Sequence, residues 1–301
     1  MKISVCCPTR GRKDMLVKGI DSLINSAHNI SNIEILFRFD EDDTKTIEDV
    51  KKYYDVKETS VQHVKHKFPW GTSTYRVHHT VSKSSNDKEW QFPGEVSMKF
   101  LIGYRHTYFY INRYNDECCH VATGEYLMHW TDDLSMVENP DCLGWDTIIK
   151  EGEGQHYMFF FRDRHLGGNP QWPVCTPKKF FDINGRLCPN LLDDQWWNEL
   201  CKVLPAGTKV VIDYAANHDC LFQTKNADIT VEEGRASFDK TRERELDYYD
   251  YYDLSEMEKI KDFLLENPNT KETSQFHDHE ITGKPFQTRG ASGRWHKDFK
   301  Q

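Results

Sequence analysis

ISVCCPTRGR (residues 3–12) and IEILFRFDEDD (residues 33–43) decide the fold of this 301-residue chain. In the first stretch an apolar run from Ile3 to Cys7 stops at Pro8, after which Leu16, Ile20, Leu23, Ile24 and Ala27 recur at helical spacing. The order is strand, loop, helix. In the second, Ile33, Ile35, Phe37 and Phe39 alternate with other-face residues and run straight into Asp40, Glu41, Asp42 and Asp43, so a second strand ends in an acidic loop. Two strands joined through one helix make a βαβ unit and imply a parallel sheet.

Outward from this unit, residues 51–95 carry mixed charge, histidines and aromatics around HKFPWGTSTYRVHH without a clear period, and read as a loop-rich excursion. A helix is expected to end near Asn112–Asn115, followed by a strand at 125–130 (EYLMHW) that runs into Thr131-Asp132-Asp133. Further strands are expected at 156–161 (HYMFFF) and 208–213 (TKVVID). Between them Leu192, Trp196, Leu200 and Leu204 share one face of a helix over 191–204. The pattern predicts an α/β domain over 1–225 with a mainly parallel central sheet flanked by helices. Residues 226–301 are expected to form a helical appendage, with a capping box at Ser255 and Glu258 ahead of Ile260, Phe263 and Leu264, and a basic tail, TRGASGRWHKDFKQ.

A hydrophobic share of 38% and an aromatic share of 13% fit a folded chain, while the mean hydropathy of -0.76 reflects charged loops. No stretch approaches the roughly 18 apolar residues of a membrane helix, and MKISVCCPTRGR is too short an apolar run for a signal peptide. A cytoplasmic protein without membrane insertion is expected, in a host cytoplasm if the chain is viral. The nine cysteines include no CxxC pair, and the adjacent pairs Cys6-Cys7 and Cys118-Cys119 do not suit chelation of one zinc, so they read as reduced core thiols. The formal charge of -9 excludes global attraction to nucleic acid or anionic membranes and leaves only local basic patches.

Open α/β sheets bind ligands at the carboxyl ends of their strands. Three such ends here carry unusual polar sets: Pro8-Thr9-Arg10, Asp40 to Asp43, and Asp132-Asp133. One or two carboxylates plus substrate phosphates suit Mg²⁺ or Mn²⁺, and the pair at 132–133 fits that pattern, although two adjacent Asp also describe a solvated acidic turn.

ISVCCPTRGR, IEILFRFDEDD and ATGEYLMHWTDDLSM, in this order and spacing, resemble the family 2 glycosyltransferases over roughly residues 1–140. The resemblance extends to the compact sequences of that style in phage and large-virus genomes. It implies a GT-A fold, a nucleotide-diphosphate sugar donor (a UDP-sugar first), Mn²⁺ or Mg²⁺, and inversion at the anomeric carbon. It places Asp40 on the base, Pro8, Thr9, Arg10 and Arg12 along the ribose and diphosphate, and Asp132 and Asp133 at the donor, with Asp133 on the metal. The sequence departs from the strict Asp-x-Asp, since Thr131 stands where the first Asp would be, and from the commoner Pro-Thr-Tyr-Asn. Farther on, FFDINGRLCPNLLDDQWWNELCKVL resembles the segment that carries the acceptor-side general base, here Asp194 with Asp193 as its neighbour. His218, after the last strand, is implied as a further metal ligand. Of the two tryptophans, Trp196 is expected to pack inward and Trp197 to stack on a sugar in the cleft. The acceptor is open between a glycan, a protein and a hydroxymethylated DNA base. A nucleotidyltransferase on the same fold and a non-catalytic nucleotide- or glycan-binding module are the alternative readings.

Overall fold

The computed structural model describes residues 1–83, 94–106, 111–137, 144–163, 170–187, 196–197, 200–201, 203–218 and 254–277. In chain order the elements are β1 (Ile3–Pro8), α1 (Lys13–Asn25), β2 (Ile33–Asp40), α2 (Thr44–Tyr53), β3 (Lys57–Phe68), β4 (Gly71–Lys83), β5 (Glu95–Gly103), α3 (Ile111–Val121), β6 (Tyr126–His129), β7 (Leu134–Met136), α4 (Trp145–Lys150), β8 (Met158–Asp163), β9 (Pro170–Pro177), α5 (Lys178–Asn184), β10 (Lys209–His218), α6 (Leu254–Glu266) and β11 (Phe276–His277). The strands form one sheet in the order β11-β10-β8-β9-β6-β1-β2-β5-β4-β3, with β7 paired to β10. The fold is mixed α/β, a large central sheet flanked by helices. Its central run β6-β1-β2-β5 is parallel throughout, and antiparallel strands extend it on both sides.

The period-two pattern of β2 explains how the helices are placed. Phe37 faces Tyr54 at the end of α2, whereas Arg38 and Asp40 meet Glu117 and Tyr114 of α3. β2 is therefore sandwiched, and every one of its residues is buried. Helix α1 buries Leu16, Ile20, Leu23 and Ile24, the face expected from their spacing, and each such side chain contributes about 1.5–3 kcal/mol. Cys6, Cys7, Cys118, Cys119 and Cys175 are free, buried thiols.

Three expectations are corrected. Residues 57–83 are a long β-hairpin turning at Pro69–Trp70, not a loop-rich excursion. Residues 95–103 are a strand, and the helix expected to end near Asn112–Asn115 starts at Ile111. The helix after residue 250 begins at Leu254, so Ser255 lies inside its first turn and is not a preceding cap.

Within the segment expected as an appendage, α6 buries Met257, Ile260 and Leu264 in the same core cluster as the sheet. Arg186 donates to Glu256 at 2.6 and 2.9 Å, and β11 pairs with Val210 and Val211 of β10. Among the described residues no helix is long and apolar enough to cross a membrane. The basic tail lies outside the described residues.

Candidate functional site

The registers Cys6↔His129, Pro8↔Arg38 and Asp40↔Gly103 bring the carboxyl ends of β6, β1, β2 and β5 to one edge of the sheet. From that edge emerge the loop at 9–12, the acidic turn at 40–43 and the turn at 131–133. The first of these links the other two. Thr9 donates its backbone N–H to the Arg38 carbonyl at 3.1 Å and its hydroxyl to Asp132 Oδ2 at 2.9 Å. Arg10 donates to both oxygens of Asp42 (2.6 and 2.9 Å) and to Asp40 Oδ2 (2.7 Å). The Gly11 N–H reaches Asp43 Oδ2 at 2.9 Å, and Arg12 donates to Asp132 Oδ1 at 3.0 Å while standing 3.9 Å from Asp133 Oδ2.

The electrostatics differ between the two acidic groups. Asp42 is more than half exposed, and the Arg10 hydrogen bonds pull its carboxyl below the usual range. Such an open pair adds little stability. Asp132 is buried, and burial pushes its carboxyl up to about 6; Arg12 opposes the rise and the neighbouring Asp133 adds to it. The turn is held from behind by Gly19 of α1, where an added Cβ would come within 2.2 Å of the Leu134 carbonyl oxygen. Only glycine lets α1 approach so closely.

Seven of the residues singled out from the sequence therefore meet at one edge: Pro8, Thr9, Arg10, Arg12, Asp40, Asp132 and Asp133. For His218 the backbone is described: it pairs with Leu134, the residue after Asp133. Asp193 and Asp194 lie outside the described residues. Trp197 is corrected: it is 2% exposed, as buried as Trp196, and its ring meets His129 of β6 edge-on at 5.3 Å, so it packs in the core and offers no face to a sugar.

Sequence reasoning missed the layer beneath Asp40. The Tyr114 hydroxyl lies 2.9 Å from Asp40 Oδ1 and 2.5 Å from the His106 carbonyl, its single proton serving one at a time. Arg38 is buried, pairs with Glu117, and donates to the carbonyls of Phe39 and Tyr104. Glu117 also meets Ser73 and His106. Burial pushes Glu117 upward, but His106 and Arg38 outweigh it and hold the carboxyl below its ordinary value. The signal was present in IEILFRFD, where the two-residue period puts Arg38 on the same face as Asp40.

A divalent cation fits the pair at 132–133. Asp132 carries a buried charge that Arg12 compensates only in part, and two adjacent carboxylates with substrate phosphates are an ordinary Mg²⁺ arrangement. Among the described residues no group of three or more His, Cys, Asp or Glu converges on one point.

No protein-family model matches the chain, and no curated protein matches it. Solved structures similar to it include the 1–349 segment of S. aureus TarS in complex with UDP, at 13% identity over 72% of this chain and 60% of that one, with a TM-score of 0.44. The same segment in complex with UDP-GlcNAc is similar at 12% identity over 77% of this chain and 61% of that one, with a TM-score of 0.46. The chain thus spans less than two thirds of the length of these structures.

Proposed function

We propose that this chain is a GT-A glycosyltransferase that moves a sugar from a nucleoside-diphosphate donor, UDP-linked in the first instance, to an acceptor with inversion. The observation that carries the reading is the loop at 9–12, which joins a carboxylate suited to a base edge (Asp40) to a carboxylate pair suited to a cation (Asp132 and Asp133) across the ends of parallel strands. A donor lies naturally along that path. Asp40 accepts the base N–H, the backbone around Pro8 and Thr9 borders the ribose, and Arg12, with Arg10 held at Asp40 and Asp42, supplies positive charge for the diphosphate. Asp133, with Asp132 and His218, would hold Mn²⁺ or Mg²⁺, which would supply positive charge to the leaving diphosphate. On the acceptor side Asp194, or its neighbour Asp193, takes the proton of the attacking hydroxyl. The acceptor class is a glycan, a protein or a hydroxymethylated DNA base.

The test is a thermal-shift scan of UDP, GDP, CDP and TDP with and without Mn²⁺, on the wild type and on Asp133→Ala. One diphosphate should stabilise the wild type only with metal, and the variant should show no shift. Stabilisation by none of the four removes the reading. Release of pyrophosphate from a nucleoside triphosphate and a sugar 1-phosphate would replace it with nucleotidyl transfer.

A further inference from the structure

Tyr104 lies one residue beyond β5, and Gly103, the residue before it, is the register partner of Asp40. The residue is 68% exposed. The other exposed large hydrophobics among the described residues, Val61 and Leu265, lie in β3 and α6. An exposed aromatic on a loose loop has no particular meaning. The backbone under Tyr104 is held on several sides. Arg38 Nη2 donates to the Tyr104 carbonyl at 2.8 Å, and the Glu41 N–H donates to the Gly103 carbonyl at 2.9 Å. Gly103 leaves no room for a side chain, since a Cβ there would come within 2.8 Å of Tyr75 Cβ and 3.0 Å of Arg38 Nη2. Burying a guanidinium is costly unless it is paired, and here the Arg38–Glu117 pair braces the ends of β2 and β5. The fold thus fixes the backbone that carries an exposed aromatic residue, one position beyond the register partner of Asp40.

We propose that Tyr104 supplies the stacking face of a nucleobase subsite whose edge contact is Asp40. This inference rests on the functional reading above and adds to it the residue that binds the flat face of the base. Stacking of a base on an aromatic ring is worth roughly 5- to 150-fold in affinity, and it depends on the ring and not on the hydroxyl.

The experiment measures Kd by calorimetry in Mn²⁺ for wild type, Tyr104→Ala and Tyr104→Phe against UDP, GDP, CDP, TDP and, as a base-free probe, pyrophosphate. The expected result is a loss of roughly 5- to 150-fold for the preferred nucleotide in Tyr104→Ala, retention in Tyr104→Phe, and the same pyrophosphate affinity in all three. Unchanged nucleotide affinity in Tyr104→Ala overturns the inference and leaves the functional reading standing. An equal loss for nucleotide and pyrophosphate also overturns it, because it marks damage to the loop instead of loss of a stack. A wild type that binds no nucleoside diphosphate brings down both.

Discussion

The two ends of the central strands treat buried charge in opposite ways. At the amino end Glu34 of β2 is fully buried and saturated: Ser4 donates to it at 2.5 Å, the Thr123 hydroxyl at 2.8 Å, and Lys99 stands 3.1 Å away with Lys2 at 3.5 Å. Burial pushes this carboxyl up, but Lys99 and the hydrogen bonds from Ser4 and Thr123 outweigh it and bring it down to about 2. At the carboxyl end Asp132 is almost as buried, yet its compensation falls short and it rises to about 6. Glu34, closed off from water and held by two lysines and the donors of Ser4 and Thr123, offers nothing to a ligand. A carboxylate left short of positive charge at a strand end is poised to gain from a cation.

The sharpest way to break this contrast is to remove one carboxylate from each end. Asp133→Ala should abolish sugar transfer and the metal-dependent thermal shift while leaving the urea midpoint of the ligand-free protein nearly unchanged, because that end is already in electrostatic debt. Full activity in the variant would sink the metal assignment. Glu34→Ala should do the reverse, costing about 3–5 kcal/mol in urea unfolding by stranding Lys99 without its partner. Equal stability losses in the two variants would erase the distinction between the ends.

The pH dependence of the metal-free protein sharpens the same comparison. Glu34 is depressed from its ordinary value near 4.5 to about 2, so its stabilisation is complete above 4.5 and disappears as pH falls through about 2. That amounts to about 3 kcal/mol. Asp132 is raised from near 3.8 to about 6, so the native state holds its proton more tightly than the unfolded chain and stability falls as pH rises between those values. Unfolding free energies followed from pH 3 to 7 should therefore lose a component falling across about pH 4–6 in Asp132→Asn and keep it in Glu34→Gln. A slope unchanged in Asp132→Asn contradicts the raised value.

What the sequence revealed follows from where each segment is buried. The strand ends were legible because β1, β2 and β6 are apolar runs that stop abruptly at polar residues, and the convergence of Thr9, Arg10, Arg12, Asp40, Asp132 and Asp133 needed only the parallel topology. The hairpin was not, since β3 buries only Val64 and Phe68 of its twelve residues and the buried residues of β4 include Ser73, Thr80 and Ser82 beside Tyr75 and Val77. Helix α3 was displaced for a related reason. It buries Asp116 and Glu117, whose partners Trp70, the Leu187 N–H and Arg38 are distant in sequence, and no local pattern announces that such charges face inward. The burial of Trp197 is set by His129 on the strand face behind it, a contact between residues far apart in sequence that no local pattern marks.

The smallest expected effect concerns Arg12, the cation already standing at the pair. Its guanidinium is held to Asp132 at 3.0 Å and lies near Asp133, so it competes with any metal that arrives alone. A diphosphate changes this balance by offering Arg12 a second anionic partner and the metal additional oxygen ligands, which makes metal and nucleotide bind better together than apart. Arg12→Gln should therefore strengthen Mn²⁺ binding to the nucleotide-free protein by about fivefold, the equivalent of ~1 kcal/mol for a partly exposed pair. The same variant should weaken nucleotide binding in saturating Mn²⁺. Titration by electron paramagnetic resonance reads the first and calorimetry the second. Mn²⁺ affinity that falls in Arg12→Gln would mean that the arginine orders the carboxylates for the metal instead of standing in its place.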